Sequence, residues 1–199
     1  MEQQKPSLII VAGPNGSGKT TITYKILKHE WVTNCLYINP NYIANEKFGG
    51  WNNNDAVLQS AKYCTALRLD CLENEKSLIF ITVFSSPEKI NFIRSAKQKG
   101  FFIRLFFVGT NNPIINASIV ALRFLKGGHE VPINKIISRY SKSIENCAEI
   151  SSIVDRLYVY DNSIEDMEAK LLFKASNGKL TKQYNKVNNW AMQIFKNVV

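Results

Sequence analysis

The chain has no apolar run long enough to cross a membrane. Its most hydrophobic stretches, residues 8–12 and 101–108, fall far short of the roughly 20 residues that a helical span needs. The opening residues, Met1 to Lys5, carry no secretory pattern, so the expected location is cytoplasmic. Cysteine is sparse: Cys35, Cys64, Cys71 and Cys147 form no CxxC pair and no cysteine–histidine spacing of a zinc site. That excludes a disulfide scaffold and a zinc module, and leaves reduced, mostly buried packing residues. Internal repeats and low-complexity linkers are also missing.

What is present is a chain of 199 residues with 45% hydrophobic content, enough for one domain with a full core and too little for two of ordinary size. The expectation is a single domain over residues 1–199, with a core at about 7–163 and an extension at about 164–199. A formal net charge of +9 favours an anionic ligand, because a basic surface concentrates phosphates around it. The basic residues are spread along the chain, and their runs lack the aromatic interleaving of a single-strand binder. Nucleotides satisfy the charge, and nucleic acid is not the expected partner.

Residues 7–12 form a short, β-branched apolar run that stops at glycine, as a strand buried on both faces of a parallel sheet would. Residues 20–30 follow with helical spacing at Ile22, Ile26 and Leu27. Further strands are predicted at 35–39, 77–84, 102–108 and 156–160. Helices are predicted at 55–74, 87–99, 113–126 and 132–150, the last two each opened by a proline tolerated in a first turn. Cys64 and Cys71, seven apart, fall on one buried face. The alternation predicts an α/β fold, a mainly parallel five-stranded sheet flanked by helices. Residues 171–184, centred on Asn177-Gly178, read as a hairpin, and a short helix is expected around Trp190.

Between the first strand and the first helix stands Gly13-Pro14-Asn15-Gly16-Ser17-Gly18-Lys19-Thr20, which matches G-x-x-x-x-G-K-[ST] at every fixed position. Glycines let backbone N–H groups close around an anion, and the helix that follows points its positive end at the phosphates. Lys19 reaches toward the β- and γ-phosphates, the Thr20 hydroxyl is the candidate Mg²⁺ ligand, and Thr21 is placed for the α-phosphate. The candidate nucleotide-binding set is Gly13, Asn15, Gly16, Ser17, Gly18, Lys19, Thr20 and Thr21. No Asn-Lys-x-Asp segment for reading guanine is found, so ATP with Mg²⁺ is the expected cofactor pair. The loop alone does not separate kinase, ATPase, GTPase or switch.

Several further motifs occur in order: AGPNGSGKTT from Ala12, INPNYIA from Ile38, TVFSS from Thr82, and Ala96-Lys97-Gln98-Lys99-Gly100. Gly127-Gly128-His129-Glu130-Val131-Pro132, then Ile136 and Arg139-Tyr140, and Tyr160-Asp161-Asn162-Ser163 complete the set. With these, residues 7–163 resemble the zeta-toxin-like family of small P-loop kinases. The resemblance implies an ATP-dependent phosphotransferase, with UDP-N-acetylglucosamine as the best-known acceptor of toxin members and a small helical antitoxin as partner. It implies a cleft lined by Asn41, Thr82, Arg123 and Arg139, with Lys19, Arg123 and Arg139 as the catalytic cations and Asn41 and Thr82 facing the acceptor. His129 is read as ordering its loop, between the Gly127-Gly128 helix stop and Pro132. The segment from Trp51 to Asn54 reads either as a border of the acceptor pocket or as an ordinary loop.

The departures bear on activity. Asn41 stands where the family usually has the aspartate that accepts the acceptor's hydroxyl proton, Ile81 where it usually has glutamate, and Ile119 where arginine is common. Asn41 cannot act as a general base, and losing one costs on the order of 10²- to 10⁴-fold in rate. A pseudokinase, an attenuated or engineered form of a toxic enzyme, and an enzyme with a different acceptor all remain compatible with these three residues. A nucleic-acid kinase or ATPase is a third class, supported by charge and fold. Asp55, Glu130 and Asp161 are carboxylates near the motifs that read more simply as capping, loop or surface residues.

Overall fold

The computed structural model describes residues 5–50, 53–128 and 131–199. The first strand, β1 (Ser7–Ala12), sends Leu8, Ile10 and Ala12 to one face and Ile9 and Val11 to the other, and all five are fully buried. A continuous apolar run is therefore what this position requires, because both faces are covered. Beyond the loop come α1 (Lys19–Ile26), β2 (Leu36–Ile38), α2 (Pro40–Lys47), α3 (Asn54–Glu73) and β3 (Leu78–Thr82). They are followed by α4 (Pro87–Gln98), β4 (Phe102–Gly109), α5 (Pro113–Leu125), α6 (Ile133–Ile150) and β5 (Arg156–Asp161). The chain closes with β6 (Lys170–Ser176), β7 (Lys179–Gln183), a 3-10 turn at Asn189–Ala191 and α7 (Met192–Lys196).

The strands form one sheet in the order β2-β3-β1-β4-β5-β6-β7. Neighbours from β2 to β5 are parallel, and β5-β6 and β6-β7 are antiparallel. The expected five parallel strands are thus present, but the sheet has seven: the hairpin pairs with β5 instead of standing apart. An uncovered β5 would present a row of free N–H and C=O groups, which β6 satisfies. With β1 central, β3 on one side and β4 on the other, the loop after β1 sits at the crevice where the strand order diverges, the usual ligand position of such sheets.

Helices α3, α4, α6 and α7 cover one face with the larger core cluster, in which Phe80 meets Phe92 edge-on at 5.8 Å. The other face is closed by α1 and by the segment carrying Trp31, around Ile9, Val11, Ile79, Phe106 and Val108. The helix predicted over 20–30 ends at Ile26, and a 3-10 turn at Glu30–Val32 follows. The break lets Trp31 pack into the smaller cluster, with the Arg104 guanidinium 4.9 Å from its ring. Cys64, Cys71 and Cys147 are buried and Cys35 is half-buried, all unpaired as expected.

Asparagines set the helix starts. Asn39 and Asn112, each followed by proline, accept from the N–H groups of Asn41 (3.1 Å) and Ile114 (2.9 Å), and Asn53 accepts from Asp55 (2.8 Å). Such a cap is worth about 1 kcal/mol. Helix α2 was not anticipated: it is only eight residues long, too short for its periodicity to stand out in sequence. Pro132 lies just outside α6 as its capping residue rather than in the first turn. Phe80→Ala should cost about 3–5 kcal/mol, since the cavity would open between β3, α3 and α4, and a denaturant melt would read the loss.

Candidate functional site

The glycine loop wraps on three positive backbone angles: φ is 145° at Gly13, 72° at Gly16 and 89° at Gly18. Each position is also crowded. A Cβ at Gly13 would lie 2.0 Å from the Val108 carbonyl oxygen, at Gly16 2.6 Å from that of Asn116, and at Gly18 2.3 Å from Asn162 Nδ2. Only glycine fits there, for conformation and for space. Inside the loop, Asn15 Oδ1 and Ser17 Oγ are buried without a hydrogen-bond partner among the described residues. Leaving such groups unmet costs about 1–3 kcal/mol each, so the cradle is built for a polar ligand.

Lys19 opens α1 and folds back on the loop, its Nζ donating to the carbonyl oxygens of Gly13 (2.8 Å) and Pro14 (2.6 Å). Desolvation by burial, and then the Arg123 charge, lower its pKa from 10.5 to about 7. Arg123 itself is exposed at the end of α5. The end of that helix is fixed: Gly128 N–H donates to Arg123 O and Gly127 N–H to Phe124 O, both at 2.9 Å, a closed C-terminal turn with φ 84° at Gly127. The glycine pair stops the helix as expected. His129 and Glu130 lie outside the described residues, as do Trp51 and Asn52.

Thr20 and Thr21 are exposed on the first turn of α1. Thr21 and Gly18 form one side of a cavity of about 420 Å³, within the usual size of a ligand pocket. Its second wall is the α5 face with Ile115, Ile119 and Leu122, and its third is residues 162–169, with Glu165, Asp166 and Glu168. Ile119 contributes to the apolar wall of this cavity.

The remaining expected site residues are placed unevenly. Thr82 is the register partner of Ala12, directly before the loop, but its Oγ1 accepts from Phe84 N–H at 3.1 Å. Phe84 is buried with φ 65°, a conformation rare for an aromatic residue; α6 holds it through Ser143 Oγ to Val83 O (2.7 Å) and Asn146 Nδ2 to Phe84 O (2.9 Å). Ile81 is half-buried and packs into the smaller apolar cluster. Asn41 is exposed in the first turn of α2, and Arg139 is half-buried on α6 beside Tyr140. No group of three His, Cys, Asp or Glu side chains able to hold a metal is found among the described residues.

Two arms that the sequence reading did not assign hold the loop from outside. Asn116 Nδ2 donates to Asn15 O (2.6 Å), and its Oδ1 accepts from Thr110 Oγ1. Asn162 Nδ2 donates to Ser17 O (3.2 Å). Tyr140 OH donates to Thr110 O (2.6 Å), and burial, then the Asp161 charge, push its pKa up to about 12. Asp161 is not a surface carboxylate but is buried, accepting from Trp190 Nε1 (2.9 Å) and Ser163 Oγ (2.6 Å). The signal available for Asn116 was a lone amide within the apolar run of α5; Asn162 lay in a motif without an assigned task. Asp55 is the exposed first-turn residue it was read to be.

The profile of the zeta toxin family matches residues 1–176. Among solved structures, a chain of the PezAT chromosomal toxin–antitoxin system of Streptococcus pneumoniae is similar, with TM-score 0.64 and 15% identity, over 100% of this chain and 80% of that one. A chain of the AvrRxo1-ORF1:AvrRxo1-ORF2 complex with ATP gives TM-score 0.66 and 16% identity over 97% of this chain, which spans 63% of that one. A chain of the Pnkp1/Rnl/Hen1 RNA repair complex gives 0.57 and 17% over 74% of this chain and 47% of that one. At these identities the structures establish a shared fold. No curated protein matches the chain.

The effect of burial and of the Arg123 charge on Lys19 is open to direct measurement. In a nitrogen-15 NMR titration Lys19 Nζ should change protonation near pH 7, and Arg123→Gln should raise that value by removing a like charge. A Lys19 that titrates at its ordinary 10.5 in both proteins would contradict the lowered value and its causes. Because a bound phosphate favours the ammonium, anion affinity should weaken as pH rises above 7.

Proposed function

The chain belongs to the zeta toxin family, and from that premise we propose that it is an ATP-dependent phosphotransferase acting on a hydroxyl of a nucleotide sugar, such as UDP-N-acetylglucosamine, or a related small molecule. The observation that carries the reading is the preformed loop, with the Ser17 hydroxyl buried and unmet in it and Lys19 folded back onto its carbonyls. The triphosphate would lie in the loop, with Lys19 released from the Gly13 and Pro14 carbonyls to meet it. The base would occupy the cavity between α5 and residues 162–169, its apolar wall against the ring and the carboxylates of Glu165, Asp166 and Glu168 within reach of hydroxyl or amino donors. The whole span 1–199 would act as one kinase domain.

Mg²⁺ fits this donor set only in company with the nucleotide. Thr20 offers one hydroxyl, Ile81 offers nothing, and phosphate oxygens and water would complete the shell, as is usual for this ion. When bound it would neutralise charge on the β- and γ-phosphates. The chain's own part is positioning: Lys19 and Arg123 hold the terminal phosphate and meet charge that develops during transfer, with Arg139 the further cation proposed to line the cleft. Thr82, beside the loop, would border the acceptor, and Asn41 would contact it without taking its proton.

Since transfer of this kind depends more on position and charge than on a base, Asn41 slows the reaction without abolishing it. A second reading, nucleotide binding without transfer, is favoured by Ile81, which joins an apolar cluster where the family places a carboxylate. A small helical antitoxin is the proposed partner, in keeping with the toxin–antitoxin origin of one structural neighbour. Purified protein with γ-labelled ATP, Mg²⁺ and a panel of nucleotide sugars decides between the readings. Label should enter an acceptor, disappear with Lys19→Ala and rise roughly 10²-fold with Asn41→Asp, which restores the base at an exposed position. ATP binding with no transfer in either the native chain or Asn41→Asp would favour the second reading instead.

A further inference from the structure

The nucleotide reading leaves one buried network unused, and it begins in the segment beyond residue 176, where the family match ends. Trp190 is only 8% exposed, and its ring lies against Gly109 so closely that a Cβ there would stand 2.3 Å from it. Its Nε1–H donates to Asp161 Oδ1 at 2.9 Å. The same oxygen accepts from Ser163 Oγ at 2.6 Å, which fixes the hydroxyl so that its oxygen can accept from Asn111 N–H at 2.8 Å. One carboxylate oxygen thus joins the turn after β4 to the turn after β5.

Both turns lead to the glycine loop. From β5, Asn162 N–H donates to Gly109 O (2.9 Å) and Asn162 Nδ2 to Ser17 O (3.2 Å). From β4, Thr110 holds Asn116, which donates to Asn15 O (2.6 Å). A trans peptide is planar, so fixing a carbonyl fixes the next N–H on the opposite side. Holding the oxygens of Asn15 and Ser17 outward therefore aims the N–H groups of Gly16 and Gly18 away from the two asparagines, toward the interior of the loop.

We propose that Trp190 is a positioning residue for the phosphate cradle, acting through Asp161 to set the loop peptides at Gly16 and Gly18; the proposal rests on the nucleotide reading above. Trp190→Phe keeps the ring and removes only the donor. Amide hydrogen exchange on the full chain should then quicken several-fold at Gly16 and Gly18 while protection in the β1 core stays as in the native protein. Affinities for Mg·ATP and for inorganic pyrophosphate should fall together by about three- to tenfold, the loss of one net hydrogen bond. In a double-mutant cycle, Trp190→Phe and Asp161→Asn should be non-additive in that affinity.

Unchanged exchange at both glycines in Trp190→Phe overturns the proposal, as do additive effects in the cycle. Quickened exchange in Trp190→Phe, together with a native chain that binds neither ATP nor pyrophosphate, would instead overturn the nucleotide reading and leave the coupling standing. Should Trp190→Phe fail to fold, Ser163→Ala cuts the same network one bond nearer the cavity and takes the same exchange measurement. Native exchange at Gly16 and Gly18 in Ser163→Ala likewise overturns the proposal.

Discussion

The arrangement depends on a backbone that is held from behind. Three glycines turn the loop after β1 into a concave wrap, and the carbonyls of Asn15 and Ser17 are tied outward by Asn116 and Asn162. Neither tie would exist without the sheet order, which sets β4 beside β1 and β5 beside β4 and brings their terminal turns to the loop. The apolar strands supply stability, but what they deliver to the site is register: Ala12 pairs with Thr82 on one side and Phe107 on the other, so three strand ends meet at Gly13.

The second constraint is charge of one sign. Lys19 is folded onto two carbonyl oxygens, where burial first and the Arg123 guanidinium second lower its pKa to about 7. Crowding like charges disfavours the protonated lysine, and an anion relieves it, so the free protein carries an electrostatic bias toward a phosphate. The unmet Ser17 hydroxyl, a donor without a partner among the described residues, adds to that bias. On the side of the proposed acceptor, Asn41 is exposed and Ile81 joins an apolar cluster, so neither brings a negative charge, which makes phosphate holding the better-equipped half of the proposed reaction.

Much of this was legible in sequence, for identifiable reasons. The loop's spacing is a physical requirement as much as a signature, and strands such as β1 and β4 are near-continuous apolar runs, as strands covered on both faces require. The Asn177-Gly178 turn located the hairpin, though not its attachment to β5, because pairing partners far apart in sequence leave no local mark. The same reason hid the network behind the loop. Asn116 lies 101 residues from Asn15, and Asn162 145 residues from Ser17, and each looks like an ordinary polar residue until the fold closes. Asp161 reads in sequence as a capping, loop or surface carboxylate because its buried donor, Trp190, arrives from the far end of the chain.

The most direct test of the central claim, that this loop is a phosphate cradle centred on Lys19, is calorimetric titration of Mg·ATP into the full chain beside its Lys19→Ala variant. The account predicts one equivalent bound by the native chain and an affinity at least about tenfold weaker in the variant, as loss of a charged hydrogen-bond donor would produce. Equal binding by the two proteins, or none by the native chain, would contradict it.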